Sequence, residues 1–276
     1  MNLNTVTELV RPRRPEDVPT WKAGDAWLAG GTWLFSEPQP QLRRLIDLES
    51  LGWRAINIDE RGLQLAATCT IAMLDSVSLP TGWTAAPLIG QCCRALMASF
   101  KVWNTATVGG NICMALPAGA MISLASALDG IATIWTNDGS ERSIPIVEFV
   151  TGEQKNILAA GDVLRQIALP ASALVNRTAF RQHSLTALGR SAALLIGTLS
   201  IRDKAFDLTL TAATSRPVRI SFPHLPMADQ LRDRIEQQIP NSAYLDDVHG
   251  RWAWRKHMTL LLAEEIRLEL CGDASQ

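Results

Sequence analysis

The chain has 276 residues and a formal net charge of −1, from 26 basic and 27 acidic side chains. This length suits one large domain or two to three small ones around a substantial apolar core. The balanced charge supplies no cationic field for a polyanion, so nucleic-acid binding is not expected. No apolar run approaches the roughly 20 residues that cross a bilayer, so no membrane span is expected.

The cysteines indicate a reducing compartment. They are five in number and lack CxxC spacing, which argues against a disulfide framework and against a four-cysteine zinc or iron–sulfur site. The N-terminus has no charged lead followed by an apolar stretch, the pattern of a cleaved secretory signal. The sequence therefore predicts a cytoplasmic protein.

Short apolar runs predict the elements of the first hundred residues. Strands are expected at residues 27–29 and 45–48, and a hairpin is expected to join runs 55–58 and 63–67. Thr70 is expected to cap a helix that continues to Val77. Apolar residues at helical spacing predict a longer helix at 85–97.

The remainder of the chain divides near residues 170–176. Before that point the sequence predicts a loop at 101–111, a helix at 121–128, and strands at 131–135, 144–147 and 163–169. After it the sequence predicts paired strands at 192–201 and 206–211 and then two helices, of which 255–270 is the clearer.

Common catalytic and nucleotide-binding motifs are missing. The chain contains no G-x-G-x-x-G, no G-x-x-x-x-G-K-[ST], no H-E-x-x-H and no G-x-S-x-G. His183 and Ser184 are adjacent on an expected strand, where successive side chains face opposite ways, so they do not form a nucleophile–base pair. The sequence predicts no catalytic residue and no metal site in this chain.

Two diglycine segments remain, at residues 28–32 and 107–111. Glycine permits positive φ and close approach of a ligand to the backbone, and consecutive N–H groups can form an anion-binding concavity. Each diglycine alone is typical of a plain tight turn. The pair leaves both a plain turn and a shared diphosphate site open.

The residues around both diglycines resemble a known family. Trp27-Leu28-Ala29-Gly30-Gly31-Thr32-Trp33-Leu34, followed by Leu45-Ile46-Asp47-Leu48, resembles the first FAD-binding segment of the flavoprotein subunits of molybdenum hydroxylases. That family includes the medium subunits of xanthine, carbon monoxide and nicotinate dehydrogenases. Residues 104–113 resemble the second segment, and supporting matches continue as far as Arg216-Pro217. The ordered set covers nearly the whole chain.

The resemblance implies an α+β fold. A two-lobed FAD-binding domain is expected at 1–172, built of small α/β lobes at about 1–55 and 56–172. A C-terminal domain at 173–276 is expected to hold a three-stranded antiparallel sheet and a helical bundle.

The resemblance also implies the FAD contacts, with the diphosphate on the two diglycines. Leu164 is expected near the adenine through its backbone, and Arg181 stands where the family often has lysine. The complete set of implied contacts is Trp27, Leu28, Ala29, Gly30, Gly31, Thr32, Trp33, Leu34, Thr107, Val108, Gly109, Gly110, Asn111, Leu164 and Arg181.

The partners are implied in the same way. Electrons from substrate oxidation at the molybdopterin of a large subunit are expected to pass through the [2Fe-2S] clusters of a small subunit to this FAD. From there they are expected to reach an external electron acceptor. No molybdopterin or iron–sulfur cluster is expected in this chain itself.

Several positions depart from the family pattern. Where this chain has Trp33, the family commonly has Asp, and where it has Lys101 and Trp103, the family commonly has Gln and Arg. Where this chain has Ala120, the family commonly has an acidic residue that hydrogen-bonds the ribityl region of the flavin. Each lost charge-assisted hydrogen bond costs about 1.5–3 kcal/mol. We expect Ala120→Asp to tighten FAD binding if the missing carboxylate limits affinity.

Two other functions stay open. The first is a degenerate family member, a structural subunit with weak or no FAD binding. It is suggested by Trp103 and Ala120, and by Gly189, which stands where the family frequently has Asp. The second is a stand-alone FAD-binding or nucleotide-binding protein that uses the same diglycine cradle.

Overall fold

The N-terminal lobe is a small parallel sheet. In the computed structural model, which describes residues 3–272, β1 (Glu8–Val10), β2 (Asp25–Leu28) and β3 (Arg44–Asp47) pair in the order β1-β3-β2. Both pairings are parallel. The loops that follow the three strands therefore leave one edge of the sheet, the edge where open α/β sheets bind ligands. Residues 1–2 and 273–276 of the expected domain ranges lie outside the described residues.

The second lobe is built from seven strands and six short helices within the described residues. In chain order its elements are β4 (Ile56–Asp59), β5 (Gly62–Ala66), α1 (Ile71–Asp75), α2 (Ala86–Ala95), α3 (Phe100–Trp103), α4 (Val108–Cys113), α5 (Ala120–Ala127), β6 (Ile131–Trp135), β7 (Glu141–Pro145), α6 (Ile146–Phe149), β8 (Val150–Gly152), β9 (Lys155–Asn156) and β10 (Val163–Pro170). Five of the strands form an antiparallel sheet in the order β4-β5-β10-β6-β7, and β8 and β9 form a two-stranded ribbon.

Most sequence-based expectations for this lobe are confirmed, and two are not. The strand expected at 144–147 ends at Pro145, because residues 146 and 147 begin α6, and the loop expected at 101–111 is largely helical. The β4–β5 hairpin forms, and the Thr70 hydroxyl caps α1 by accepting from Met73 N at 3.2 Å. Residues 101–111 are not a loop, because they contain the end of α3 and the start of α4. Thr107 caps α4 by accepting from Gly110 N at 3.0 Å, which offsets the low helix propensity of the two glycines.

The C-terminal part is a four-stranded antiparallel sheet with two longer helices. Its elements are α7 (Ala171–Leu174), β11 (Arg177–His183), β12 (Ala193–Leu199), β13 (Phe206–Thr211), β14 (Val218–Phe222), α8 (Ala228–Gln238) and α9 (Trp252–Gly272). The strands follow one another in the order β11-β12-β13-β14, so the sheet has four strands rather than the expected three. The strand missing from the residue-based expectations is β14, which pairs with β13 over five residues and covers its edge. The expected division between residues 172 and 173 falls inside α7 and stays a prediction.

β12 lies between the two parts of the molecule. All seven of its residues are buried. Leu194 and Ile196 join the core of the second lobe, whereas Leu195 and Leu199 join a separate core with α9. Because successive side chains of a strand face opposite ways, the sheet is covered on both faces, by α5 on one side and α9 on the other.

Polar contacts support this arrangement. Ser123 and Thr211 share a hydrogen bond of 2.7 Å between their hydroxyl oxygens, and Arg219 of β14 pairs with Asp129 just after α5.

None of the helices within residues 3–272 combines the length and the apolar composition needed to cross a membrane.

Candidate cofactor-binding site

The first diglycine lies in a compact loop after β2. Gly31 has φ +68° and its carbonyl accepts from Phe35 N at 2.9 Å, while the Trp33 carbonyl accepts from Ser36 N at 2.9 Å. Within residues 3–272, the backbone N–H groups of residues 30–34 have no hydrogen-bond acceptor. Consecutive unpaired N–H groups of this kind form a concavity that accepts an anion.

Gly30 brings the two diglycine segments into backbone contact. A Cβ atom at Gly30 would lie 1.8 Å from the carbonyl oxygen of Thr105 and 3.2 Å from Cα of Ala106. No side chain fits at such a distance, so only glycine permits this approach. The structure therefore places the first predicted segment directly against the residues that precede the second.

The second diglycine differs from the first because its N–H groups are already bonded. Val108 N donates to Cys69 O at 2.8 Å, and Gly109 N donates to Ala67 O at 3.0 Å. Gly110 N bonds the Thr107 hydroxyl, as described above. The sequence predicts consecutive unpaired N–H groups at both diglycines. The structure has them only at the first, because the second diglycine forms the start of a helix.

The two glycines of α4 face different surroundings. A Cβ at Gly109 would lie 2.4 Å from Cβ of Ala67, so this glycine packs against the lobe interior. A Cβ at Gly110 would meet only the Thr107 hydroxyl, at 2.9 Å, and nothing else within 4 Å. The outer side of Gly110 is therefore open to a ligand. The Thr107 hydroxyl can donate its own proton there while it accepts from Gly110.

Asn111 and Leu164 have structural contacts of their own. The side-chain Oδ1 of Asn111 accepts from Met121 N at 3.0 Å and so ties α4 to α5. Leu164 is buried in β10 and pairs with Ile134 of β6. It lies two residues after Asp162, which contacts the first segment directly.

Asp162 joins the two lobes. Its carbonyl accepts from the indole Nε1 of Trp27 at 3.0 Å. Its carboxylate, largely buried, accepts from Asn137 N, Ala159 N and Arg142 Nη2, each at 3.1 Å. The sequence does not single out Asp162 as a site residue. Its position at the end of a turn before a buried strand was the available signal for this role.

Arg181 is held by α9. Its guanidinium bonds the carboxylates of Glu265 at 2.8 Å and Glu269 at 2.7 Å. Burial lowers the pKa of Arg181, and the carboxylates of Glu269 and Glu265 more than offset it, so the pKa lies above its ordinary value. A flavin contact at Arg181 would therefore use a guanidinium that already bonds two carboxylates of α9.

Two of the departures from the family pattern, Ala120 and Trp103, pack against other parts of the second lobe, whereas Lys101 is exposed. Ala120 is the first residue of α5 and has 0% exposed surface. The Trp103 indole donates to Leu96 O at 3.1 Å, which fixes it against the end of α2. Burial raises the pKa of the Cys113 thiol to about 12, so this cysteine stays protonated at neutral pH. Ala120, Trp103 and Cys113 pack the lobe rather than present polar groups.

An ion pair fixes the start of β2, the strand that leads into the first diglycine loop. Arg44 of β3 bonds both carboxylate oxygens of Asp25, at 2.9 and 2.5 Å, and both side chains are largely buried. The hydrogen bond from Arg44 lowers the pKa of Asp25. A carboxyl with a depressed folded-state pKa contributes stability above its unfolded-state pKa and loses it as the pH falls through the folded value.

We expect Asp25→Asn to destabilise the protein by about 2 kcal/mol at neutral pH, because it leaves the Arg44 guanidinium without its charged partner. The variant should also lose part of the acid sensitivity of the wild type between about pH 5 and 3. Thermal unfolding across this range checks both effects. Asp17→Asn, in an exposed pair with Arg14, is the control and should change stability by less than about 0.5 kcal/mol.

Comparison with known proteins decides the family. Residues 6–172 match the family described as the FAD binding domain in molybdopterin dehydrogenase. This chain belongs to that family. No curated protein sequence matches the chain significantly.

Solved structures of a quinoline 2-oxidoreductase and of carbon monoxide dehydrogenases share the fold of this family member over at least 95% of its length. A quinoline 2-oxidoreductase chain from Pseudomonas putida 86 superposes with a TM-score of 0.78 at 19% identity, covering 100% of both chains. A carbon monoxide dehydrogenase chain from Hydrogenophaga pseudoflava gives 0.78 at 18% identity, covering 95% of this chain and 96% of that one. The corresponding enzyme from Oligotropha carboxidovorans gives 0.78 at 17% identity, covering 97% and 99%. The expected α+β fold is confirmed.

Proposed function

We propose that this chain binds FAD, with the diphosphate against the unpaired N–H groups of residues 30–34 and the open side of Gly110. The observation that carries the proposal is the contact at Gly30, which places an unsatisfied row of donors beside the second segment. Thr107 supplies one further hydroxyl donor. The arrangement fits a diphosphate because it offers backbone donors and room for close approach.

The proposed role is electron transfer in a heteromeric complex. When bound, the flavin ring supplies the redox chemistry, which the protein tunes and positions. Electrons would come from the [2Fe-2S] clusters of a small partner subunit and leave to an external acceptor, while a molybdopterin-binding large subunit oxidises the substrate. The matching chains from quinoline 2-oxidoreductase and carbon monoxide dehydrogenase support this role. Five cysteines without a disulfide are consistent with a cytoplasmic complex.

A structural subunit with weak or no FAD binding is the second candidate. The bonded N–H groups of α4 and the buried Ala120 favour it, because both remove contacts that the family resemblance implies. Affinity purification of the tagged chain from its host, with released flavin quantified, distinguishes the two. One FAD per chain together with a molybdopterin subunit and an iron–sulfur subunit supports electron transfer. A complete complex without flavin supports the structural role.

Gly110→Val tests the diphosphate position. The valine side chain should fill the open space beside Thr107 and abolish FAD binding, measured by titration of the purified chain with FAD. Gly82→Val is the matched control, because a Cβ at Gly82 meets nothing within 4 Å. Unchanged FAD binding by a folded Gly110→Val chain would place the diphosphate elsewhere.

A further inference from the structure

A half-buried arginine of the second lobe lies against two indoles. The guanidinium carbon of Arg165 is 4.3 Å from the ring centroid of Trp53 and 5.5 Å from that of Trp135. The two indoles meet edge to face, with centroids 5.4 Å apart and an interplanar angle of 85°. The guanidinium therefore lies in a corner formed by two aromatic side chains, where cation–π attraction holds it.

A β-bulge directs Arg165 into this corner. The pairing of β10 with β6 changes register between Leu164 and Gln166, which leaves Arg165 as the extra residue. Ile134 belongs to the core of the lobe, so Trp135, the next residue of β6, lies on the opposite face of the sheet. Bulges re-aim side chains, and this one places a cation on the face of the sheet that points away from the core.

The guanidinium of Arg165 has no anionic partner. Within residues 3–272 its N–H groups have no hydrogen-bond acceptor and form no ion pair. Burial lowers the pKa of Arg165, and the Glu141 carboxylate offsets only part of this effect. That carboxylate instead accepts from the Trp135 indole at 3.2 Å. Because a planar guanidinium matches a carboxylate through two parallel hydrogen bonds, the corner presents a positioned and unpaired site for a carboxylate.

The surroundings of Arg165 favour a protein surface over a small molecule. Trp135 borders a cavity of about 400 Å³, but Arg165 does not line it, and small-molecule sites bury most of the ligand in such a cavity. Arginine and tryptophan are enriched among the residues that dominate binding at protein–protein interfaces. The two indoles also restrict the arginine before a partner arrives, which lowers the entropy cost of binding.

We propose that Arg165 is the centre of a docking surface for a partner protein and receives a carboxylate side chain of that protein. Trp53 and Trp135 hold the guanidinium and supply apolar contact around the ion pair. The inference rests on the proposed function in its choice of partner, which is a subunit of the proposed heteromeric complex. It gives Arg165 no part in FAD binding.

Binding of separately purified partner subunits by the full chain tests the inference. The molybdopterin and iron–sulfur subunits are purified from a host that lacks this chain and are titrated with the wild type and with Arg165→Gln. The variant should bind at least about 30-fold more weakly, because the partner carboxylate is left desolvated and unpaired. Arg165→Lys keeps the charge but loses the planar guanidinium, so it should also weaken binding. Both variants should bind FAD like the wild type.

Arg61→Gln is the matched control. Arg61 is exposed in the β4–β5 turn of the same sheet, and its guanidinium also has no partner within residues 3–272. It differs from Arg165 in having no indole support in that part of the chain. Arg61→Gln should therefore bind the partner subunits like the wild type.

The contrary outcomes separate this inference from the proposed function. Unchanged partner binding by folded Arg165→Gln would overturn the inference alone, and Arg165→Lys decides where Arg165→Gln does not fold. Weaker FAD binding by a folded variant would also overturn it, because the guanidinium would then serve the cofactor. Self-association of the wild type that Arg165→Gln removes would assign the carboxylate to a second copy of the chain and overturn the choice of partner. A wild-type chain that binds the partner subunits but no FAD would overturn the FAD-binding function alone, and one that binds no partner subunit would overturn the inference and the proposed complex together.

Discussion

Gly30→Ala should abolish FAD retention. The added Cβ would lie 1.8 Å from the carbonyl oxygen of Thr105, a backbone atom that cannot rotate away. Relief of the overlap requires the loop at residues 30–34 to move away from the segment that leads into α4. The N–H donors and the open side of Gly110 would then no longer face a common site. We expect FAD affinity to fall at least about 100-fold, a loss of roughly 2.7 kcal/mol or more.

The measurement is FAD content after purification, followed by FAD titration of the purified variant. Gly82→Ala is the matched control, since a Cβ there meets nothing within 4 Å. Thermal unfolding should show that Gly30→Ala still folds, because Ala106, at the margin of one hydrophobic core, is the core residue nearest to the new Cβ and the rest of both cores is left in place. A folded Gly30→Ala chain with wild-type FAD content would show that the proposed site does not depend on contact between the two segments.

The parts of the fold that were predictable are those set by local sequence. The apolar runs gave β3 and β10, and the turn residues gave the β4–β5 hairpin, because side-chain periodicity and turn chemistry act over a few residues. The helix start at Thr107 was not predicted. Its two glycines disfavour helix locally, and the contacts that offset this come from Cys69 and Ala67, about 40 residues earlier in the chain.

The candidate site also combines local features, which can be predicted from the sequence, with contacts between distant residues, which cannot. The diglycine at Gly30 was recognised from sequence, because the glycines and their flanking residues lie together. The state of the N–H groups at the second diglycine depends on pairing with distant residues and was not predictable. Trp27 and Asp162 lie more than 100 positions apart and share no motif. Only the packing of the two lobes brings them into contact.

The sequence alone suggested that Ala120→Asp would tighten FAD binding. From the structure we expect the substitution to destabilise the chain instead. Ala120 has 0% exposed surface, and all eight residues of α5 are buried. An ionised carboxylate at this position loses its water without gaining a paired cation, which costs about 3–5 kcal/mol. The start of a helix returns only about 0.3–1 kcal/mol of that cost. FAD affinity should therefore stay equal or fall.

The pH dependence of this variant separates charge from size. Burial raises the pKa of a carboxyl group, so the substitution is tolerated best when it is protonated. Its stability relative to wild type should decline above about pH 4, by up to about 1.4 kcal/mol per pH unit, until the folded-state pKa is reached. Ala120→Asn has a similar volume and no charge, so its deficit should not change with pH. Wild-type stability together with tighter FAD binding in Ala120→Asp would show that bound FAD reaches residue 120, because its hydroxyl groups would then bond the new carboxylate.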